Sequence, residues 1–301
     1  MPDLPARADL DQLRHRAKDL LRAARAGDPD AGRRLAALPT TPTLAGAQLA
    51  VAREHGFPSW ARLKAEVERR RVLTHRDLGR LTELLAEHPE LATAPMDRWQ
   101  DHPSGATPLG FVAMLRYDTA GRTWGDRPGT GAVARALLAA GAPVDGQPGD
   151  RETPLMTAAS YGDAEVAAAL VEAGADLDAV AAPTAGGVPG GTALLHAAVF
   201  GMTPVLDVLV AAGARVRGIE EAAAAGDLGE WLTPDTPPEA RIRALVMAAD
   251  HERLAVIDEL LAAGTPIDAT DAVWGRQAMR VARENNRSAS IAHLLARGAA
   301  A

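Results

Sequence analysis

A short motif that recurs along the chain restricts its fold more than any other feature. The motif is a Leu-Leu or Leu-Val pair, two further residues and a glycine, and its five glycines are Gly141, Gly174, Gly213, Gly264 and Gly298. Their spacings are 33, 39, 51 and 34 residues. A base period near 33 residues, lengthened by insertions, predicts a repeat architecture in which each unit is one supersecondary element.

A second motif precedes the first and indicates how each unit begins. It occurs as Thr107-Pro108-Leu109, Thr153-Pro154-Leu155 and Thr192-Ala193-Leu194. Threonine caps a helix N-terminus, and proline is tolerated in the first turn because the N–H that it lacks has no partner there. Gly162 and Gly201 end the first helix of their units, and Gly174 takes the left-handed position after a second helix at residues 164–173. The pattern predicts helix–turn–helix units.

One unit, residues 153–179 (TPLMTAASYGDAEVAAALVEAGADLDA), resembles the ankyrin-repeat family in its TPL opening, central Ala pair, middle Gly and closing L-x-x-x-G-A-D. A second unit begins TALLHAAVFG at Thr192, and its His196 stands where the family has a structural histidine that bonds backbone between repeats. The resemblance covers roughly residues 75–301. It implies an all-α fold, an α-solenoid of about six to seven ankyrin repeats, which binds partners on its concave face.

The repeats also depart from the family pattern. Gly110 and Met156 occupy the usual histidine position. Three insertions, at residues 117–131, 181–191 and 229–240, interrupt the array, and the unit at residues 220–231 is shortened. We expect loops at the insertions. The last unit, residues 276–297, has the polar character that a terminal repeat needs.

The first 74 residues lack the repeat and predict a helical N-terminal cap. Apolar residues at helical spacing predict helices near residues 10–24, 43–55 and 61–71, with Ser59 capping the third. The segment AREHGFPSW at residues 52–60 resembles a cap segment that precedes ankyrin arrays in many bacterial proteins. We therefore expect a cap at residues 1–74 and an array at residues 75–301.

Composition argues against several classes of protein. The chain has no cysteine, which excludes disulfides and thiolate metal sites. It has no apolar run of membrane-spanning length and no secretory signal pattern, so we expect a cytoplasmic protein without a membrane partner. The net charge is −7, divided into +6 for residues 1–76 and −13 for residues 77–301. An acidic array disfavours nucleic acid, for which the run Arg69-Arg70-Arg71 with Arg76 is the weaker hypothesis.

The aromatic residues are the strongest candidates for a binding surface. Aromatic residues make up only 3% of the chain, and Trp and Tyr anchor many protein interfaces. The candidate set is Trp99, Tyr117, Trp124, Tyr161, Phe200, His251 and Trp274. Tyr161, Phe200 and His251 fall at equivalent positions, at the end of the first helix of their units. The expected function is an adaptor, scaffold or inhibitor of a protein partner; the alternative that each aromatic ring packs under a loop stays open.

An enzyme is the rival hypothesis. The insertions could fold over the groove and close a pocket for a small molecule. Acid–base groups would then come from Asp101, His102, Asp126, Asp150 and His196. The familiar metalloprotease, phosphate-loop, nucleophile-elbow and zinc motifs are missing, so we expect no metal and no cofactor.

Overall fold

The computed structural model describes residues 3–5, 7–36, 43–96, 99, 107–118 and 121–300. Within these ranges it contains sixteen α-helices, two short 3₁₀ helices and one two-stranded hairpin. The chain divides into two compact units, Met1–Pro143 and Val144–Ala301. The all-α prediction is confirmed, and the fold is consistent with a helical solenoid.

The first unit, Met1–Pro143, contains seven of the α-helices within its described residues. These are α1 (Leu10–Arg25), α2 (Pro29–Ala36), α3 (Leu44–Glu54), α4 (Trp60–His75), α5 (Leu78–Glu87), α6 (Pro108–Ala113) and α7 (Thr130–Ala139). A 3₁₀ turn at Pro89–Ala92 follows α5. Between α6 and α7 lies a hairpin of β1 (Tyr117–Asp118) and β2 (Thr123–Trp124), where the sequence predicted an irregular loop as far as Gly131.

The helices of the predicted cap form where the capping residues indicate. Thr43 Oγ1 accepts the Gly46 N–H at 3.1 Å, and Ser59 Oγ accepts the Arg62 N–H at 3.2 Å. Helix α2 is an addition to the three expected helices. Pro29 is the first residue of α2, and Asp28 caps that helix by accepting the Ala31 N–H at 2.8 Å.

The second unit, Val144–Ala301, is a row of helix pairs. Its helices are α8 (Pro154–Tyr161), α9 (Ala164–Glu172), α10 (Ala193–Val199), α11 (Thr203–Ala211), α12 (Ile219–Ala225), α13 (Pro238–Asp250), α14 (Leu254–Ala262), α15 (Ala278–Glu284) and α16 (Ser288–Ala296). The first helices pack in the order α8, α10, α12, α13 and α15, each against the next. Fully buried alanines, including Ala158, Ala197 and Ala248, let these helices approach closely.

Capping threonines and glycines shape these pairs as the sequence predicted. Thr153 and Thr192 each accept a backbone N–H at the start of α8 and α10. Gly174 has a φ of +82°, the left-handed position after α9. The shortened unit consists of α12 and a 3₁₀ turn at Gly229–Trp231, without a second α-helix. Helix α13 begins at Pro238, which is accommodated in the first turn because the N–H that it lacks has no partner there.

Within the described part of the chain, no helix combines the length and the apolar character that crossing a bilayer requires.

Candidate functional site

Two histidines proposed from the sequence are core residues of the second unit. His196 is completely buried; its Nδ1 lies 2.8 Å from Ser160 Oγ and its Nε2 lies 3.2 Å from the Val188 carbonyl oxygen. Burial lowers the pKa of His196, and the charge of Glu152 only partly offsets this. The ring therefore ties α8 to the loop before α10, as the family resemblance implies for this position.

His251 is 2% exposed, and its surroundings follow the same pattern. Its Nδ1 lies 2.9 Å from Thr203 Oγ1, and its Nε2 lies 2.9 Å from the Ala198 carbonyl oxygen. Burial lowers the pKa of His251 as well. His251 is therefore a core residue of the second unit, where both of its ring nitrogens have hydrogen-bond partners.

We call Tyr161, Phe200 and Trp274, three aromatic residues of the second unit, the aromatic row. Phe200 and Trp274 are large hydrophobic residues with 38% and 37% of their surface exposed. The Arg276 guanidinium lies 5.8 Å from the centre of the Trp274 ring, and Arg276 Nη1 donates to the Val199 carbonyl at 2.9 Å. Arg276 thus joins the Trp274 turn to the end of α10, where Phe200 lies.

Tyr161, the third member of the row, is at the end of α8, a helix that His196 of α10 contacts. The His196 ring meets the Phe200 ring edge-on, with 6.3 Å between ring centres. His196 in turn contacts the hydroxyl of Ser160, the residue before the half-buried Tyr161. Hydrogen bonds of His196 and Arg276 therefore connect α10 with the end of α8 and with the turn before α15.

Asp271 holds the turn that carries Trp274. Asp271 is 1% exposed, and its carboxylate accepts the backbone N–H groups of Val273 at 3.0 Å, Trp274 at 2.7 Å and Arg276 at 2.8 Å. The sequence analysis missed this residue. The available signal was an aspartate at the start of a glycine-containing turn, where its side chain bonds the following N–H groups.

The second unit, to which this row belongs, is strongly acidic as a whole. Residues 144–301 contain 22 Asp and Glu against 11 Arg, a net charge of −11. Residues 1–143 contain 17 Asp and Glu against 21 Lys and Arg, a net charge of +4. The aromatic row therefore belongs to the acidic part of the chain.

The other three predicted aromatic residues lie in the first unit. Trp99 is 3% exposed, and its indole N–H donates to Glu66 Oε1 at 2.7 Å. Tyr117 and Trp124 pair across the β1–β2 hairpin with ring centres 5.1 Å apart. Trp124 is 56% exposed, so its ring on the hairpin is accessible to solvent. Trp99, in contrast, is part of the core.

A cavity of about 550 Å³ opens in the first unit beside Trp99. We call it the arginine pocket, because Arg7, Arg70, Arg71, Arg76 and Arg127 line it together with Trp99, Phe111 and Tyr117. The Arg70 guanidinium lies between two rings, 4.4 Å from the centre of Trp99 and 4.8 Å from that of Phe111. Two predicted binding residues, Trp99 and Tyr117, are thus in the pocket wall.

The basic run Arg69-Arg70-Arg71 does not form a continuous basic surface. Arg69 is 1% exposed, pairs with Glu66 at 2.5 Å and donates to the carbonyls of Leu91 at 2.8 Å, Ala94 at 2.7 Å and Pro95 at 3.2 Å. Arg70 is also buried, and only Arg71 is exposed. Two of the three guanidinium groups therefore belong to the interior of the first unit.

The acid–base groups of the enzyme hypothesis are not assembled in the described residues. Asp101 and His102 lie outside those residues. Asp126 is exposed in the first unit, whereas Asp150 is exposed in the second and accepts the Gln147 N–H at 2.7 Å. His196 is enclosed and bonded to Ser160 and Val188. Among the described side chains, no group of three His, Asp or Glu could hold a metal ion.

Comparisons with known proteins agree with the repeat pattern. Residues 127–218, which include α7 to α11, match the family model for ankyrin repeats in three copies. Among solved structures, the chain is similar to the human ASB11 ankyrin repeat domain, at 20% sequence identity and a TM-score of 0.43, over 77% of this chain and 97% of that one. A search of curated proteins gave no match.

Proposed function

We propose that this ankyrin-repeat protein is an interaction module, an adaptor, scaffold or inhibitor, that binds a protein partner through the aromatic row. Ankyrin repeats generally serve protein–protein interaction. The observation that carries the proposal is the hydrogen bond from Arg276, which lies beside the Trp274 ring, to the Val199 carbonyl, because it places the Trp274 turn at the end of α10, where Phe200 follows Val199.

The row is suited to anchor a partner because its rings are held before binding. Asp271 fixes the Trp274 turn through three backbone bonds, and the His196 ring contacts the Phe200 ring edge-on. Anchors that are already ordered lose little conformational entropy on association. Trp and Tyr are also the residue types whose removal most often costs binding energy at interfaces.

The charge of this unit indicates the chemistry of the partner. A net charge of −11 over residues 144–301 favours a partner that presents lysine or arginine around an apolar centre. Such complementarity mainly accelerates association and selects among partners. The same charge disfavours a phosphate backbone, and the cysteine-free composition fits our expectation that the protein works in the cytoplasm.

The proposal is tested by removing the two exposed rings of the row. Wild type and the variant Phe200→Ala/Trp274→Ala are used as bait in a lysate of the native organism, and the affinity for each captured protein is then measured with purified components. We expect the double variant to bind about 100-fold more weakly, because truncating a central anchor often costs about 2 kcal/mol or more.

The matched control is Leu295→Ala, which removes a 43% exposed hydrophobic side chain from α16. This variant should bind the partner with an affinity within about threefold of wild type, because Leu295 lies outside the proposed binding surface. A partner that binds wild type and Phe200→Ala/Trp274→Ala equally well would exclude the aromatic row as the binding surface.

A further inference from the structure

We propose that residues 182–190, which we call the latch, open in acid while the helices of the second unit stay folded. The latch is most of the insertion between α9 and α10, and it contacts the buried ring of His196. This inference concerns a conformational change within the repeats and does not depend on the aromatic row.

Hydrogen bonds attach the latch to the segment before α8. The Gly187 N–H donates to Glu152 Oε1 at 2.7 Å. Arg151 accepts the Ala182 N–H at 2.8 Å with its carbonyl and donates to the Thr184 carbonyl at 3.3 Å with its guanidinium. No residue of the latch is buried. Because the latch contributes no side chain to the core, it can open locally at a lower cost than the helices can unfold.

A further attachment, to His196, couples the latch to a titratable group. His196 Nε2 lies 3.2 Å from the Val188 carbonyl oxygen and 3.4 Å from the Val188 backbone nitrogen. Gly187 is so close to the ring that a Cβ at this position would lie 2.7 Å from His196 Cε1. The ring is completely buried, whereas Gly187 and Val188 are partly exposed, so the latch separates His196 from solvent.

Glu152 is the charged group that faces His196, and its charge favours the protonated ring. Helix α8 (PLMTAASY), which packs against α10, carries no charged residue. The acidic residues of α11 and α12, the other helices packed against α10, are bonded elsewhere: Asp207 to Arg253, Glu220 to Arg243 and Glu221 to Thr192. Burial outweighs the charge of Glu152 and lowers the pKa of His196.

Protonation of His196 therefore favours the open latch. In the closed conformation an imidazolium ring has lost its hydration, whereas opening lets water reach it at the cost of the hydrogen bonds of the latch. A proton on Nε2 also removes the acceptor for the Val188 N–H. Since the pKa is lower in the closed conformation, the ratio of open to closed latch rises as pH falls below about 6.5, by at most about tenfold per pH unit.

Hydrogen–deuterium exchange of the full chain, read by mass spectrometry and corrected for the pH dependence of the chemical exchange rate, tests the proposal. Peptides of the latch and of α9 are compared at about pH 7.5 and pH 5.5. We expect the protection of the latch to fall by about threefold to tenfold. At both pH values α9 should stay at least about 100-fold more protected than the latch, because the latch opens without unfolding of the repeat.

Variants assign the response to a residue. His196→Gln does not titrate, so its latch should have the same protection at both pH values. Gly187→Ala keeps the histidine and places a Cβ against it, so its latch should be weakly protected at both. His251→Gln is the matched control, because His251 is a buried histidine that bonds Thr203 and Ala198 and not the latch. Its latch should respond as that of wild type does, and thermal unfolding verifies that each variant is folded.

Three results would each overturn the proposal. The first is protection of the latch that does not change between the two pH values. The second is equal protection of the latch and α9 in acid, which would mean that the latch exchanges only when the repeat unfolds. The third is an undiminished pH response in His196→Gln, which would assign the response to another group.

Discussion

Gly201 follows α10 with a φ of +69°, in the left-handed region that disfavours residues with a Cβ. A Cβ at this position would lie 2.7 Å from Asp250 Oδ2 and 2.9 Å from Oδ1. Asp250 is itself buried and accepts the Asn285 side-chain amide at 2.7 Å and Arg287 Nε at 3.2 Å. Arg287 also donates to the Gly201 carbonyl, so this single glycine is the meeting point of three repeats.

Replacing Gly201 by alanine should therefore destabilise the second unit through both backbone strain and displacement of Asp250. We expect Gly201→Ala to lower the free energy of unfolding by about 3 kcal/mol. Gly213 is the matched control, because it has a φ of +86° and nothing within 4 Å of its Cβ position. Gly213→Ala should cost only about 1–2 kcal/mol from strain. Urea unfolding followed by circular dichroism measures both, and equal losses would show that Asp250 does not resist displacement.

At the scale of elements, helix α4 is connected to the segment after α5 by one buried side chain, that of Arg69. The Arg69 side chain extends from this helix and donates to three carbonyls between Leu91 and Pro95. The carboxylate of Glu66 neutralises its charge. Glu66 also accepts the Trp99 indole N–H, which sets the floor of the arginine pocket. The helix thus supplies a core anchor and a pocket wall from neighbouring turns.

Substitution of Arg69 by methionine should destabilise the first unit, because it leaves Glu66 and three carbonyls without their shared donor. We expect a loss of about 3–5 kcal/mol in the free energy of unfolding, the usual cost of removing one partner of a buried ion pair. Arg71→Ala on the exposed side of α4 should change stability by less than about 0.5 kcal/mol. Urea unfolding of the full chain compares the two. A loss for Arg69→Met no larger than that for Arg71→Ala would mean that the anchor contributes little.

On the scale of the whole molecule, the two units differ in charge and in the kind of site they carry. The first has a net charge of +4 and holds the arginine pocket, and the second has a net charge of −11 and presents the aromatic row. We therefore expect a positively charged partner to favour the second unit over the first.

Stability of the array should decrease in acid because two buried histidines connect its repeats. Burial lowers the pKa of His196 and of His251 below the ordinary value near 6.5, so the unfolded chain binds more protons than the folded chain as pH falls through that value. Stability from both residues is present above about pH 6.5 and is lost below it, by at most about 1.4 kcal/mol per pH unit for each histidine.

Urea unfolding between about pH 7.5 and pH 5.5 measures this dependence. Burial raises the pKa of Glu221, which acts in the opposite direction because its protonation favours the folded state in acid, so variants are needed to isolate the histidines. His251→Gln should give a shallower pH dependence than wild type, and the exposed His15→Gln should match wild type. An unchanged slope in His251→Gln would show that His251 does not titrate between the two states.

The sequence by itself determined the repeat and most of its helices. Thr153 and Thr192 cap their helices and Gly174 ends its pair in the left-handed region, since these features depend on residues three to five positions apart. The same local reasoning did not predict that Pro29 and Pro238 each open a helix. Proline has both roles, and neighbours in the sequence did not distinguish them.

Only the tertiary structure decided which candidate residues face solvent. His251 and Phe200 both follow a first helix of a repeat. His251 is buried and hydrogen-bonded to Thr203 and Ala198, whereas Phe200 is exposed. Arg69, Arg70 and Arg71 are adjacent in sequence and have three different environments. Successive residues on a helix point about 100° apart, and the groups that cover them come from segments tens of residues away. Burial therefore follows from long-range packing, whereas caps and turns follow from local hydrogen bonds.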